Sequence, residues 1–304
     1  MKRKIMKMAG TTYVVSIPLK WANKYNLKKG DEIDIDDDNG NLIIRFSESE
    51  KKKKTYSVDI KNNYHTSNKL ITNLYRHGYD EFKIKFNDYE YIEKIPQIMF
   101  DNTIGLAIVE QKDNSVTIRD LSGNNIDDLD KIHKRVWFLI KDLANEVIEG
   151  IKNSDFKKLE SIKSKEKVVN QFVNYCTRLI SNENNINNRK SFVYYYLTRQ
   201  LENISDAYKH ISVIIVDKKI KPDLAFVETF ESVNKLFDEF FSVYYNYSIE
   251  KTEKLILNYK RLIKKIDQNQ KNNKKDEYFL IFTYLQLIVR KISELTSPMI
   301  ELNL

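Results

Sequence analysis

Only 7 glycines and 4 prolines occur in 304 residues. That scarcity constrains the fold more than any other feature, because these two residues are the main punctuation of helices and strands. A chain so poor in them builds long, uninterrupted elements. From Ile126 onward the apolar period is helical: Ile132, Val136, Leu139, Ile140, Leu143, Val147 and Ile151 follow i, i+3, i+4 and i+7 steps. Asp127 and Asp128 favour the first turn of this helix electrostatically. Further helices are predicted over 156–179, 189–216, 222–247, 249–270 and 276–302, with Pro222 marking the boundary between two sets of three. The region 126–304 therefore reads as a duplicated three-helix bundle, about 126–216 and 222–304.

The apolar fraction of 41% is enough for real cores, and the 31% charged fraction is mixed in sign, which argues against disorder. The net charge of +8 has one address. Eight of the 51 bases (Lys2, Arg3, Lys4, Lys7, Lys20, Lys24, Lys28 and Lys29) and none of the 43 acids fall in the first thirty residues, so the rest of the chain is balanced. Such asymmetry points to a polyanion partner for that segment. A single cysteine, Cys176, excludes an internal disulfide framework. No apolar run approaches the roughly 18–20 residues of a membrane span, so no membrane insertion is expected. The basic start lacks the apolar stretch of a signal peptide, and a cytoplasmic location is expected.

Within the basic segment, Arg3–Met8 and Tyr13–Ile17 read as strands around Gly10-Thr11-Thr12, with Tyr13, Val15 and Ile17 able to share a buried face. Pro18 suits a first helical turn, and Leu19–Asn26 reads as a short helix carrying Trp21 and Tyr25 on one face. Gly30 closes the following turn. Glu32–Asp36 and Asn41–Phe46 form a second hairpin around Asp37-Asp38-Asn39-Gly40. A unit of under fifty residues with this order cannot bury a full core alone, so it is expected to dimerise.

The stretch Ser16-Ile-Pro-Leu-Lys-Trp-Ala-Asn-Lys-Tyr-Asn-Leu-Lys-Lys-Gly-Asp-Glu-Ile33 resembles the SpoVT/AbrB family of swapped-hairpin DNA-binding domains, over residues 3 to about 46. The resemblance implies a homodimer of interleaved hairpins with a basic face on double-stranded DNA. Arg3, Lys4 and Lys7 would be presented by the first hairpin, Thr11 and Thr12 by its tip, and Lys20 and Lys24 by the helix. Arg3 is the candidate for a bidentate base contact, since its planar fork matches the guanine edge. Lys28 and Lys29 read as a solvated turn.

Residues 48–54 read as a charged linker. Residues 55–121 then read as a β-α-β-α-β-β module with helices on one face of a small sheet: strands at Tyr56–Ile60 and Glu81–Phe86, helices at Thr66–His77 and Tyr89–Met99, and a hairpin of Leu106–Glu110 with Val116–Arg119. A structural spacer is the expectation for it. His65 and His77 do not make a metal site without further ligands.

The third long helix places Glu202 and Asp206 four residues apart on one face, with Arg199 and His210 extending the stripe. Two such carboxylates can share a hard cation or pair with bases on a neighbour. Arg199-Gln-Leu-Glu-Asn-Ile-Ser-Asp206 resembles the signature helix of the PhoU family of helical phosphate-signalling proteins. The resemblance implies a divalent or iron-type metal at the Glu202/Asp206 stripe, with Glu166 and Asn170 of the preceding helix at the matching spacing and Asn174 a turn further on. In the second set Ser293 and Ser297 stand where carboxylates belong, so no metal is expected there.

The fold expected is multi-domain α+β: a β-rich AbrB-like domain at 1–48, a small α/β module at 55–121 and an all-α PhoU-like pair of three-helix bundles at 126–304. The combination resembles archaeal phosphate-uptake regulators. It implies a DNA-binding transcriptional regulator of phosphate uptake or homeostasis, with a helical body that senses or docks a partner. The alternative is a PhoU-like adaptor that binds a phosphate-transporter subunit or sensor protein and uses its head for dimerisation. An enzyme is not expected. There is no Gly-rich phosphate loop, Cys-x-x-Cys or His-Glu-x-x-His pattern. Cys176 sits in an apolar helical stretch, and His133 and His210 lie on separate helices with no nucleophile at hand.

Overall fold

The computed structural model describes residues 2–8, 10–38, 40–46, 53–60, 64–88, 90–122, 129–182, 189–273 and 276–303. The expectations placed on Asn39, on most of the 48–54 linker and on Ile126, Asp127 and Asp128 lie outside these, as does the side chain of His65. The chain forms two compact units, Met1–Lys53 and Lys54–Leu304.

The first unit contains two hairpins around a short helix. β1 (Ile5–Met8) pairs antiparallel with β2 (Thr12–Val15), Ile5 opposite Val15 and Met8 opposite Thr12. Gly10, at φ +79°, takes the left-handed turn between them. β2 stops at Val15, two residues before the expected Ile17, because its partner β1 begins at Ile5, opposite Val15. α1 (Leu19–Lys24) follows. β3 (Ile33–Asp38) and β4 (Asn41–Phe46) pair with Asp38 opposite Asn41. The strand runs two residues further than the spacing predicts, so Asp37 and Asp38 belong to the ladder rather than the turn. The expected buried face of Tyr13, Val15 and Ile17 is absent within one chain: Tyr13 is 71% exposed and Val15 44%.

The second unit begins with the α/β module. β5 (Thr55–Asp59), α2 (Tyr64–Arg76), β6 (Glu81–Lys85), α3 (Glu90–Asn102), β7 (Leu106–Lys112) and β8 (Ser115–Asp120) form a four-stranded sheet in the order β5-β6-β8-β7. β5 and β6 are parallel, as the crossover through α2 allows, and the other pairs are antiparallel. Phe82 and Ile84 of β6 with Val116 and Ile118 of β8 pack on Ile71 and Leu74 of α2 and on Ile95, Ile98 and Met99 of α3. Apolar side chains buried so completely each contribute roughly 1.5–3 kcal/mol.

Six long helices complete the unit: α4 (Leu129–Lys152), α5 (Phe156–Asn182), α6 (Arg189–Asp217), α7 (Leu224–Tyr245), α8 (Ile249–Asn272) and α9 (Asp276–Leu302). Asp223 caps α7 by accepting from the Phe226 amide at 2.8 Å, and Ser248 caps α8 by accepting from the Lys251 amide at 3.2 Å. Gly150 lets α4 and α5 close together, since a Cβ there would stand 2.8 Å from Leu159. The helices pack in the two expected sets of three, and α4 against α7 and α6 against α9 join the sets around one continuous core. Trp137 lies at its centre, ringed by Phe237, Phe240, Phe241 and Tyr244. Cys176 and His133 are buried in this core, as their apolar neighbourhoods predict for Cys176.

Candidate nucleic-acid interface and carboxylate stripe

The eight basic residues of the first thirty positions are all displayed. Arg3, Lys4, Lys7, Thr11, Thr12, Lys20 and Lys24 are each exposed. Lys7 lies opposite Tyr13 in the hairpin register, with its ammonium 5.8 Å from the ring centroid. Lys7, Thr11 and Thr12 therefore cluster toward the hairpin tip. Arg3 precedes β1 and lines an apolar groove with Ile17, Pro18, Trp21, Leu42 and Ile44, so it stands at the other end of the hairpin. Lys20 and Lys24 are four apart on α1, and Lys24 covers the Tyr25 ring at 5.2 Å.

The same unit carries a surplus of bare apolar surface. No side chain described in it is buried. Ile5, Met8, Leu19, Ile35 and Leu42 are each more than half exposed, Leu42 at 74%. Two hairpins with no buried side chain among the described residues do not make a stable fold in water alone.

The stripe on the helical body is a different kind of site. Lys209 links Glu166 of α5 to Asp206 of α6, and Arg76 links Asn174 of α5 to Glu202 of α6. Three cations stand in the stripe. Lys209 places its ammonium 2.5 Å from Asp206 Oδ1 and 3.2 Å from Glu166 Oε1. Arg199 pairs with Glu202 on the same helix. Arg76, from α2 of the α/β module, sits 3.7 Å from Glu202 Oε1 and donates from Nε to Asn174 Oδ1 at 2.6 Å. Asn170 donates to Glu166 Oε1 at 2.6 Å.

Electrostatics follow from this crowding. Burial pushes the Glu166 carboxyl up to about 7, with Asp206 adding to the rise and Lys209 opposing it. Burial likewise raises Glu202 against the pull of Arg199 and Arg76. Burial would lower Lys209, but hydrogen bonding to Asp206 and the field of Glu166 outweigh it and raise it.

As placed, these residues do not fit a metal cluster. Three carboxylates are matched by three protein cations, which removes the negative field a hard cation needs. Asn170 Oδ1 is buried without a hydrogen-bond partner, but one amide oxygen is a weak, single ligand. Among the described residues no group of three or more His, Cys, Asp or Glu gathers at ligand spacing.

The stripe is continuous with the docking face of the α/β module. Arg178 of α5 is fully buried, donates to Asp120 and to the carbonyls of Tyr75 and Tyr79, and lies over the Tyr75 ring at 5.0 Å. Asn174 donates to the Asn102 carbonyl at 2.7 Å, and Lys167 pairs with Asp101 at 2.8 Å. Arg76, Arg178 and Lys209 escaped the sequence reading. Lys209 was visible three residues from Asp206, but a lysine there reads as a solvated neighbour. Arg76 and Arg178 carry no local signal, since their partners are 98 and 58 residues away.

A family model described as antidote-toxin recognition MazE, bacterial antitoxin, matches residues 7–56. Among solved structures, the chain is similar to the phosphate transport system regulatory protein PhoU from Streptococcus pneumoniae, with a TM-score of 0.48, 14% sequence identity, and coverage of 59% of this chain and 94% of that one. No curated protein matches. The chain thus joins a MazE-like N-terminal segment to a mostly helical body. Among the described residues no helix is long and apolar enough to cross a membrane.

Proposed function

We propose that the protein is a DNA-binding transcriptional regulator whose N-terminal unit acts as a homodimer on double-stranded DNA. The observation that carries this reading is the coincidence of two properties in one small unit. Eight bases without an acid lie in its first thirty residues, and Ile5, Met8, Leu19, Ile35 and Leu42 are each more than half exposed. The first property supplies phosphate contacts and counterion release. The second calls for a partner chain, and a second copy completes the core without a further component. Lys4, Lys7, Lys20 and Lys24 position the backbone, and Arg3 reads a base edge.

The helical body then serves as the sensing or docking part, and regulation of phosphate uptake is the role its resemblance suggests. Its stripe acts as a charge-balanced joint that fixes the α/β module to α5 and α6, in place of a metal centre. Light scattering of the full chain, alone and with a short duplex, tests the reading. A dimer that binds one duplex is expected, and a monomer at micromolar concentration in both conditions contradicts it.

A second reading has one observation in its favour. The matched family is described by toxin recognition, so the same head could capture an acidic protein instead of DNA. The apolar groove beside Arg3 is where such a segment would lie.

A further inference from the structure

Helix α8 carries seven bases against three acids. Three cations, Lys235 of α7 with Arg261 and Lys265 of α8, line one open groove of about 290 Å³ between the two helices. The groove's lining comes from positions 232, 235, 236 and 239 on α7 and 258, 261, 262 and 265 on α8, each an i, i+3, i+4, i+7 set that turns one helical face into the groove. Elsewhere on the body, Lys141, Lys152, Lys158 and Lys165 each pair with an acid on another helix. Lys235, Arg261 and Lys265 make no ion pair among the described residues. A concave site that sets three cations against one carboxylate, Glu239, keeps a net positive charge that favours an anion.

The remaining polar groups narrow the anion's chemistry. Ser232 spends its hydroxyl hydrogen on the Glu228 carbonyl at 2.7 Å, so its oxygen is left to accept. Asn258 spends an amide hydrogen on Glu239 Oε2 at 2.8 Å, and its carbonyl oxygen and Glu239 Oε1 also accept. Three acceptors beside three cations suit a ligand that bears an anionic group at one end and hydroxyl donors at the other. Leu236 and Leu262, both buried, provide an apolar floor for a C–H face. The Glu239 carboxylate opposes a bare phosphate ion but favours a hydroxyl donor.

We propose that this groove binds a small phosphate monoester with a hydroxyl-bearing body, of the sugar-phosphate class. The phosphoryl oxygens engage Lys235, Arg261 and Lys265, and the hydroxyls donate to Ser232, Asn258 and Glu239. The volume accommodates such a molecule, near the lower end of small-ligand sites. This deepens the sensing half of the proposed function, and rests on that reading only for its regulatory meaning.

The test is titration calorimetry of the full chain with glucose 6-phosphate, inorganic phosphate and glucose, beside the variant Lys235→Ala/Arg261→Ala/Lys265→Ala. All three side chains reach the surface, and circular dichroism checks that the variant folds. Saturable binding of glucose 6-phosphate is expected, at least about tenfold weaker for inorganic phosphate and in the variant, and absent for glucose. No saturable binding of glucose 6-phosphate, or equal binding in the variant, overturns the site. Equal affinity for inorganic phosphate overturns the hydroxyl half. If the variant loses duplex-DNA binding while neither protein binds glucose 6-phosphate, the groove is a nucleic-acid contact and the proposal fails. Calorimetry contains no DNA, so failure of the head to bind DNA leaves its outcome intact.

Discussion

Arg178 and Asp120 join the helical body to the α/β module through two hydrogen bonds to one carboxylate oxygen, 2.7 Å from Nη2 and 3.1 Å from Nε to Oδ2. The arginine side chain is 0% exposed and the aspartate 3%. Its remaining nitrogen donates to two backbone carbonyls, each at 2.9 Å. A buried ion pair has a large desolvation cost, so its removal as a unit and its disruption have different consequences. Asp120→Ala leaves the buried guanidinium with only Asp80, 3.8 Å away and partly exposed, as its carboxylate partner, and is expected to destabilise the second unit by up to about 3–5 kcal/mol. The double variant Arg178→Met/Asp120→Leu recovers much of that loss. Urea midpoints measure both, and a double variant no more stable than Asp120→Ala contradicts the account.

The stripe makes a prediction about metal. Because Lys209, Arg76 and Arg199 already neutralise Glu166, Asp206 and Glu202, EDTA and added Mn²⁺ leave the thermal midpoint of the protein unchanged. A ligand that binds only the folded state raises that midpoint by mass action. A saturable rise with Mn²⁺ therefore refutes the internal pairing. Lys209→Met strands Glu166 beside Asp206 and lowers stability above pH 7, where both carboxylates are charged. Because Glu166 titrates at about 7, the loss shrinks as pH falls through neutrality.

His133 supplies a pH dependence of known sign. Burial lowers its imidazole to about 4, and the ring is enclosed by Trp137, Tyr194 and Tyr244. In the unfolded chain the imidazole titrates near 6.5, so between about 6.5 and 4 the unfolded state binds the extra proton. Stability is whole above about 6.5 and falls as pH drops toward 4, by of the order of 3 kcal/mol. His133→Phe removes this part of the acid limb. Stability curves for the two proteins that run parallel from pH 7 to pH 4.5 rule out a buried neutral imidazole.

The elements of the fold were legible wherever the signal is local. The 3.6 period placed all six long helices, and Gly10 and Gly40 marked both hairpins. The β3 end was misplaced because Asp37 and Asp38 are poor strand formers, while cross-strand pairing with Leu42 and Asn41 holds them in the ladder. The stripe was legible as four oxygen-bearing side chains on two helices. Its meaning was not. Arg76 arrives from another module, and no periodicity on α5 or α6 announces a guanidinium from α2. The vacant cations of the α7–α8 groove were hidden for a similar reason, since a lysine's lack of a partner appears only once its neighbours are placed.

The central claim is that the basic head binds DNA. Fluorescence anisotropy of the full chain on mixed-sequence duplex DNA across a salt series, beside the variant Arg3→Ala/Lys4→Ala/Lys7→Ala, tests it most directly. Each lost phosphate contact reduces the magnitude of the log–log salt slope by about one. The account predicts tight, salt-sensitive binding that weakens sharply in the variant with a shallower slope. Weak binding with the same slope in both proteins contradicts it and leaves protein capture as the role of the head.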